Sequence, residues 1–374
     1  MWEKTLYNQW HIRMADSVLA RDTQRHAKWE YDDGVVMQGM AELYELTGNE
    51  AYLTYVRDLI DSFLEDEGRR IRSYAPTEYN IDHLNNGKMV LYLYERMGDV
   101  SYRRAADLLM SQLAAHPRTS EGGFWHKRIY PNQMWLDGIY MGTPFYARYA
   151  RDFALENAWD DIALQILLCY DHTLDPKTGL LYHGWDEAHA QFWCDPKTGC
   201  SRHFWGRAMG WFCAALADVL EIFPKEHPAF VEIRRRFMAC AEAVLNAQDP
   251  ASGVWYQILD QGDRPGNYLE ASASSLFVYA LAKGIRLGWL PKESAPRIRR
   301  AYEGVIAQFV ELYKGLVNLN KCCKVGGLGN VEERDGSFAY YISEPILCND
   351  RKGVGAFLQA SVEVEGRRSL DIES

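Results

Sequence analysis

The chain has 374 residues, of which 48% are hydrophobic and 25% are charged, as in ordinary globular proteins, so an intrinsically disordered chain is excluded. The 41 Lys and Arg residues are outnumbered by 51 Asp and Glu residues, which gives a formal net charge of −10. This balance argues against nucleic acid or an anionic membrane surface as the main partner, since both require clustered Lys and Arg. It is compatible with a small anionic substrate, because a few well-placed cations can dominate a cleft.

The amino-terminal segment carries charges throughout its first 20 residues and has no apolar stretch of the length that a signal peptide needs. No run approaches the roughly 18 apolar residues of a membrane span. The eight cysteines include no C-x-x-C motif, which predicts reduced, mostly buried thiols rather than a zinc or redox site. We therefore expect a cytoplasmic protein.

Two kinds of helical segment alternate along the chain. The first kind is amphipathic: in 101–116 the residues Tyr102, Ala105, Leu109 and Leu113 recur on one face and charged residues occupy the other. One apolar stripe is typical of a helix at the protein surface. These predicted outer helices are 3–22, 51–65, 101–116, 157–174, 227–247 and 294–313.

The second kind is rich in Gly, Ala and aromatic residues and carries few charges. A helix that is apolar nearly all round is buried, so these segments are predicted inner helices. They are 31–47, 80–98, 136–152, 204–223, 269–288 and 343–362. Strict alternation of outer and inner helices predicts six antiparallel hairpins, that is, an all-α (α/α)6 barrel. No Pro- or Ser-rich linker divides the chain, so we expect a single domain over residues 1–374.

The starts of the inner helices carry the candidate chemistry. Asp82 and Asp137 each precede or open an inner helix near a glycine, a position where an Asp often serves only as a helix cap. Asp137 has apolar neighbours, however, and the two aspartates would face the same mouth of the barrel. Paired carboxylates in a cleft lined by aromatic residues suggest acid/base chemistry at a glycosidic centre. A helix start lowers a carboxyl pKa, whereas apolar surroundings and a second carboxylate raise it, and both effects act here.

Several further side chains are candidates for the same mouth. Arg207 lies on an almost uncharged inner helix, so it requires an internal carboxylate or a substrate carboxylate as its partner. His126 and His183 follow aromatic segments, where a histidine is more often structural than functional. The tryptophans near these positions are Trp135, Trp185, Trp205 and Trp211. No compact metal-ligand spacing, G-x-S-x-G motif or P-loop is present, and G-G-L-G at 326–329 is a weak dinucleotide signal. We expect no metal and no cofactor.

Five motifs occur in order: S-E-G-G-F-W-H-K (120–127), Q-M-W-L-D-G-I-Y-M-G-T-P-F (133–145), T-G-L-L-Y-H-G-W-D-E-A (178–188), F-W-G-R-A-M-G-W (204–211) and L-E-A-S-A-S (269–274). Together they resemble the unsaturated rhamnogalacturonyl hydrolases of glycoside hydrolase family 105, over about residues 29–355. The W-L-D-G-I-Y-M stretch is the most specific of them.

The resemblance implies an (α/α)6 barrel, in agreement with the helix count. It also implies a short oligosaccharide substrate that begins with a Δ4,5-unsaturated galacturonate. Enzymes of this family hydrate the C4=C5 double bond of that sugar without a metal or organic cofactor. Asp137 matches the general acid/base and Asp82 matches the second acidic residue. The positions that match the sugar-binding residues are Tyr31, His126, Trp135, His183, Trp205, Arg207 and Trp211.

Two parts of the chain depart from the family pattern. Arg128 is an additional cation that would contact a second sugar or lie in solvent. The segment 325–355 matches least and is expected to form a mouth loop and the sixth inner helix. The substrate is expected to be the only partner of a monomer or weak homo-oligomer.

Three alternatives remain open. An unsaturated glucuronyl hydrolase would act on glycosaminoglycan disaccharides with the same barrel and a similar acid pair. A sugar 2-epimerase would use His83 and His203, which lie at inner-helix starts, as opposed bases. A carbohydrate-binding protein would bind the sugar without turnover.

Overall fold

The computed structural model describes residues 8–23 and 26–371. The helices in this part of the chain are α1 (Trp10–Arg21), α2 (Tyr31–Thr47), α3 (Glu50–Asp61), α4 (Gly87–Met97), α5 (Val100–Ala115), α6 (Leu136–Asp152), α7 (Ala158–Thr173), α8 (Gly206–Ile222), α9 (Ala229–Asn246), α10 (Ala271–Arg286), α11 (Ala295–Phe309), α12 (Phe338–Ser343) and α13 (Arg351–Ser361). The strands are β1 (Leu64–Glu65), β2 (Arg70–Ile71), β3 (Gln133–Trp135), β4 (Gly184–Asp186), β5 (Val310–Tyr313), β6 (Leu316–Leu319), β7 (Cys322–Cys323) and β8 (Ile346–Leu347). Consecutive strands pair into four antiparallel two-stranded sheets.

Six helices form a closed inner ring. Each of α2, α4, α6, α8, α10 and α13 packs against the next, and α13 packs against α2. The outer helices α3, α5, α7, α9 and α11 each pack on the inner helix that precedes them, while α1 packs on α13 and α2. The predicted all-α (α/α)6 barrel is therefore confirmed; a single domain over residues 1–374 stays a prediction.

Burial follows the predicted distinction between the two kinds of helix. The inner helix α8 is buried at every residue from Gly206 to Leu220. The outer helix α5 buries the stripe that includes Tyr102, Leu109 and Leu113. This division explains why composition alone separates the two layers of the barrel.

Glycine permits the closest helix contact at the point where the ring closes. A Cβ atom added to Gly355 of α13 would lie 2.5 Å from the carbonyl carbon of Val35 in α2. Only glycine lets the two backbones approach this closely without displacement.

Several predicted helices have different bounds in the structure. The segment 51–65 stops being helical after Asp61 and reaches β1. The segment 80–98 divides into a 3-10 turn, Ile81–Leu84, and helix α4, because the Asn80 side chain caps the turn by accepting from the Asp82 N–H. The segment 294–313 stops being helical after Phe309 and continues as β5. The sixth inner helix begins at Arg351 rather than at residue 343. Residues 3–7 of the first predicted helix lie outside the described residues.

A charged cluster ties the ring together where its first and last inner helices meet. His26 Nε2 lies 2.6 Å from Asp22 Oδ1, and His26 Nδ1 lies 2.9 Å from both oxygens of Asp33 in α2. Arg351, the first residue of α13, lies 2.6 Å from an oxygen of each aspartate. Hydrogen bonds to Asp22 and then to Asp33 raise the pKa of His26 to about 9, although burial opposes this.

This cluster predicts a pH-dependent stability. Because the pKa of His26 is raised from 6.5 to about 9 on folding, its contribution is fully present below pH 6.5 and is lost as the pH rises through about 9. We expect a loss of about 1–2 kcal/mol, after allowance for solvent screening. Denaturant titrations from pH 6 to 10 should show this decline, and His26→Gln should remove most of it. An equally steep decline in the variant would contradict the assignment.

All eight cysteines are free; Cys348 is exposed and the other seven are buried, as predicted. Among the residues that the structure describes, no helix combines the length and apolar character needed to cross a membrane.

Candidate active site

Asp137 lies in the first turn of α6, where strand β3 runs directly into the helix. Trp135 is the last residue of β3 and takes the extended helix-cap position, so Asp137 does not cap the helix. The pairing of β3 with β4 places Trp135 opposite Gly184. His183, the residue just before β4, has its Nε2 atom 3.2 Å from Asp137 Oδ2. The Asp137 carboxylate is thus free of the helix backbone and faces an imidazole.

Asp82 lies in the 3-10 turn before α4. Its Oδ2 atom is 2.6 Å from the ammonium nitrogen of Lys127, and its Oδ1 atom is 3.7 Å from His126 Nε2. Burial alone would raise the pKa of Asp82, but the Lys127 ammonium and then His126 outweigh it and hold the pKa below the ordinary value. Asp82 is therefore a carboxylate at neutral pH.

The two aspartates do not occupy the equivalent helix positions that the sequence suggests. Asp137 is the second residue of α6, whereas Asp82 lies in a separate turn ahead of Gly87, where α4 begins. The side chains of Asn85 and Asn86 interrupt the helix there, because they donate to backbone carbonyls at the start of α2.

His126 lies near both carboxylates: its Nε2 atom is 3.7 Å from Asp82 Oδ1, and the charge of Asp137 also acts on the ring. Burial lowers the pKa of His126 to about 4, against the opposing effects of Asp82 and Asp137, so its ring is neutral at physiological pH. The ring stacks on Trp135 with centroids 4.3 Å apart. A Cβ atom on Gly138 would lie 3.1 Å from His126 Nδ1, so a glycine after Asp137 lets the imidazole lie against α6.

Aromatic rings surround His183. Trp135 approaches it edge-on at a centroid distance of 5.3 Å, and Trp205 lies at 4.7 Å. The hydroxyl of Tyr341 lies 2.8 Å from His183 Nδ1. The histidine is completely buried and joins the Asp137 carboxylate to α12.

Arg207 is buried at the start of α8. It donates to the hydroxyl of Ser272 and to the backbone carbonyl of Cys323, and its guanidinium lies 4.7 Å from the centre of the Trp205 ring. The sequence left open whether the partner of Arg207 is an internal carboxylate. The structure gives an indirect contact: Ser272, which accepts from Arg207, donates to the Glu270 carboxylate at 2.8 Å. Arg207 Nε has no hydrogen-bond partner among the described residues.

Tyr31 and Trp211 pack against each other in the same cluster of side chains. The Tyr31 ring meets Trp211 edge-on at 6.5 Å, and Tyr140 packs on Trp211 at 4.6 Å. Trp211 is fully buried, so Tyr31 is the member of the pair that is closer to solvent. The pKa of the Tyr31 phenol is raised well above its ordinary value, first by burial, and Asp82 and Asp137 add to this.

All nine predicted site residues thus come together around one mouth, whereas two other residues, Trp185 and Arg128, lie apart from it. Trp185 stacks on His172 at 3.6 Å. Arg128 is exposed and donates to the backbone carbonyl of Thr77. Among the described residues, no group of three His, Cys, Asp or Glu side chains is arranged to hold a metal ion.

Sequence reasoning missed two polar members of the site, Lys127 and Tyr341. Lys127 directly follows His126 in the S-E-G-G-F-W-H-K motif, so the sequence does show a cation next to a predicted site residue. Tyr341 lies in the segment that matched least, and nothing in the sequence links it to His183.

The comparisons with known proteins agree with this geometry. The sequence model of Glycosyl Hydrolase Family 88 matches residues 4–368. The unsaturated rhamnogalacturonyl hydrolase YesR of Bacillus subtilis is 31% identical over 278 residues, which cover 73% of this chain and 75% of that protein. A family 105 glycoside hydrolase structure from C. acetobutylicum ATCC 824 is 48% identical, with a TM-score of 0.94, and the match covers 96% of this chain and 99% of that chain.

A more distant structure, the unsaturated glucuronyl hydrolase of Bacillus sp. GL1, is 15% identical with a TM-score of 0.69 and 96% coverage of both chains, so it shares the fold. The resemblance to family 105 is confirmed. The chain therefore belongs to Glycosyl Hydrolase Family 88 and is an unsaturated-glycoside hydrolase of the family 88 and family 105 type.

Proposed function

We propose that the enzyme releases the Δ4,5-unsaturated galacturonate from the non-reducing end of rhamnogalacturonan oligosaccharides. The observation that carries this proposal is the pair of buried carboxylates, Asp82 beside His126 and Asp137 beside His183, whose charges both act on His126. The likeness to YesR supports the choice of a rhamnogalacturonyl substrate. On this proposal a short oligosaccharide is the partner and no cofactor takes part. The cytoplasmic location and the monomeric or weakly oligomeric state of the enzyme stay predictions.

The proposed reaction begins with hydration of the C4=C5 double bond. Asp137 gives its proton to C4, and the positive charge that develops is shared between C5 and the ring oxygen. Water then adds to C5 and returns a proton to Asp137, which restores the acid. The resulting hemiketal opens at C5, and the hemiacetal left at C1 expels the neighbouring sugar as an alcohol. Nearby carboxylate charge stabilises the cationic transition state.

The two carboxylates are suited to different roles. Lys127 keeps Asp82 ionised, so Asp82 accepts hydrogen bonds and orients the sugar or the water. Proton donation then falls to Asp137, whose ion-pair partner among the described residues is the His183 imidazole rather than a Lys or Arg. Trp135, Trp205 and Trp211 supply apolar walls of the site, and Trp211, which is fully buried, acts by supporting Tyr31.

Arg207 is the proposed partner of the substrate carboxylate, since its Nε–H is unused within the described structure. Arg207→Lys keeps the charge but removes the planar fork of donors. We expect KM for the unsaturated uronate to rise about tenfold, with a smaller change in kcat, because a charge-assisted hydrogen bond contributes about 1.5–3 kcal/mol.

Steady-state kinetics and thermal unfolding of the same samples test this role. The matched control is Arg202→Lys, since Arg202 is exposed and donates only to the backbone of Phe192 among the contacts described. A lower melting temperature with an unchanged KM would show that Arg207 is purely structural.

The epimerase alternative needs His83 and His203 to act on one sugar from opposite sides. His83 packs against Tyr74, while His203 packs against Phe338 and binds the Gln261 side chain. The two rings are held by different neighbours, and neither is next to Asp137 in the contacts described. This arrangement favours the hydrolase.

The substrate is tested by following the ultraviolet absorbance of the conjugated unsaturated uronate. Rhamnogalacturonan-lyase products and chondroitin-lyase disaccharides are compared at equal concentration. We expect absorbance to be lost with the first set. Loss of absorbance only with the second set would show that the enzyme is an unsaturated glucuronyl hydrolase. Loss with neither set would contradict both substrate assignments.

A further inference from the structure

A chain of three side chains connects α12 to the Asp137 carboxylate. The Tyr341 hydroxyl lies 2.8 Å from His183 Nδ1, and His183 Nε2 lies 3.2 Å from Asp137 Oδ2. Tyr341 and His183 are completely buried, and Asp137 is 9% exposed. Both atoms are buried without a hydrogen-bond partner among the described residues, because the 3.2 Å contact between them is not well aligned. Leaving two buried polar atoms unpaired is costly, so a small rotation that aligns them with each other is favoured.

Hydrogen-bond chemistry decides which nitrogen of the His183 ring carries an N–H and which accepts. A carboxylate oxygen only accepts, so the nitrogen that faces Asp137 has to carry the N–H. Nδ1 is then the acceptor and needs a donor. Burial raises the pKa of the Tyr341 phenol well above its ordinary value, so Tyr341 keeps its proton and supplies that donor.

We propose that Tyr341 is a positioning residue that holds His183 in its Nε2–H tautomer and thereby directs an N–H at Asp137 Oδ2. This inference rests on the proposed function of Asp137. With Oδ2 engaged by His183, Oδ1 is the oxygen that carries the proton for C4. The N–H also stabilises the carboxylate that forms once that proton has been transferred.

The segment that carries Tyr341 is fixed firmly enough for this role. The Gly327 N–H donates to the hydroxyl of Tyr340 at 2.8 Å, and the Gln257 side chain donates to the Tyr341 carbonyl at 3.1 Å. Gly326 lies against the Trp205 ring, where a Cβ atom would come within 2.6 Å of it. Residues on both sides of Tyr341 are thus anchored to the walls of the site.

Other titratable groups near the three side chains can also contribute to a measured pH profile. They are His126, Tyr31 and Cys169 near Asp137, and Tyr340, His203, Cys323 and Asp335 near Tyr341. A conservative change at Tyr341 leaves all of them in place. A change in the pH profile of such a variant consequently reports on the Tyr341 hydroxyl.

The test compares Tyr341→Phe with the control Tyr102→Phe, which removes the hydroxyl of a buried tyrosine on the outer helix α5, where it donates to Asp61. In Tyr341→Phe we expect kcat/KM for the unsaturated oligosaccharide to fall about tenfold, the value of roughly one hydrogen bond. Its pH profile should change as well, because the hydrogen bonding of the catalytic carboxylate is altered. Tyr102→Phe should match the parent enzyme in both respects.

A second readout does not depend on the substrate. Nitrogen NMR of histidine-labelled enzyme, with the His183 signals assigned through His183→Gln, should show a protonated Nε2 and an accepting Nδ1 in the parent. The Nδ1–H tautomer should become populated in Tyr341→Phe and not in Tyr102→Phe. An unchanged tautomer together with an unchanged pH profile in Tyr341→Phe would overturn the inference. An inactive parent enzyme would instead refute the proposed function, and the tautomer would still decide the role of Tyr341.

Discussion

Replacing Asp137 by asparagine is expected to lower turnover by about 10²–10⁴-fold, the usual contribution of a general acid/base. Asparagine has nearly the same shape but no proton to give to C4. His183, which lies 3.2 Å from the carboxylate, can donate to the amide oxygen in its place. The fold and the affinity for the sugar should therefore be retained, and steady-state kinetics with equilibrium binding of the unsaturated oligosaccharide would show the separation.

The matched control for this variant is Asp99→Asn. Asp99 caps the outer helix α5 by accepting from the Ser101 N–H, and asparagine caps equally well. Its turnover and stability should equal those of the parent. Near-normal turnover in Asp137→Asn would remove Asp137 from the reaction.

The second large effect is expected at the buried ion pair between α8 and α10. The ammonium of Lys283 lies 2.7 Å from Asp218 Oδ1 and 2.8 Å from Glu221 Oε2, and Tyr279 donates to the same Asp218 oxygen. Burial would raise the pKa of Asp218, but Lys283 outweighs it and holds the pKa well below the ordinary value. Lys283→Met fills the space but leaves the Asp218 carboxylate buried without this cation. We expect the free energy of unfolding to fall by about 3–5 kcal/mol.

Denaturant unfolding of three variants tests the physical cause. Lys292→Met changes an exposed lysine and should have little effect. The double variant Asp218→Asn with Lys283→Met removes both charges and should recover part of the loss, because the buried charge is then gone. If Lys283→Met were as stable as the parent, the ion pair would have no role in holding the inner ring together.

The barrel could be predicted from the sequence because the amino-acid composition of each helix reflects how much of its surface is buried. A helix such as α8 is apolar on all sides, whereas α5 has one apolar stripe. The errors lie at helix ends, where a few side-chain contacts decide. Asn80 caps the 3-10 turn locally, whereas Asn85 and Asn86 delay α4 through hydrogen bonds to the start of α2, which is distant in the sequence.

The site was predictable to the extent that its residues lie in local motifs at inner-helix starts. Asp137 and Arg207 each stand in a distinctive run of residues, and the fold brings those runs to one mouth. The contacts that other side chains make with His183 and Asp82 were not predictable, because they depend on how separate parts of the chain pack together. Tyr341 is 158 residues from His183, and the Lys127 contact with Asp82 depends on how two connecting segments pack.

The central claim is that Asp137 delivers a proton to C4 of the unsaturated sugar before the glycosidic bond breaks. The most direct measurement is the reaction in D2O, with NMR analysis of the released sugar. Hydration predicts one deuterium at C4 and the disappearance of the double bond, at a rate that falls with Asp137→Asn. Release of a sugar that keeps its C4=C5 double bond and carries no deuterium at C4 would contradict the account.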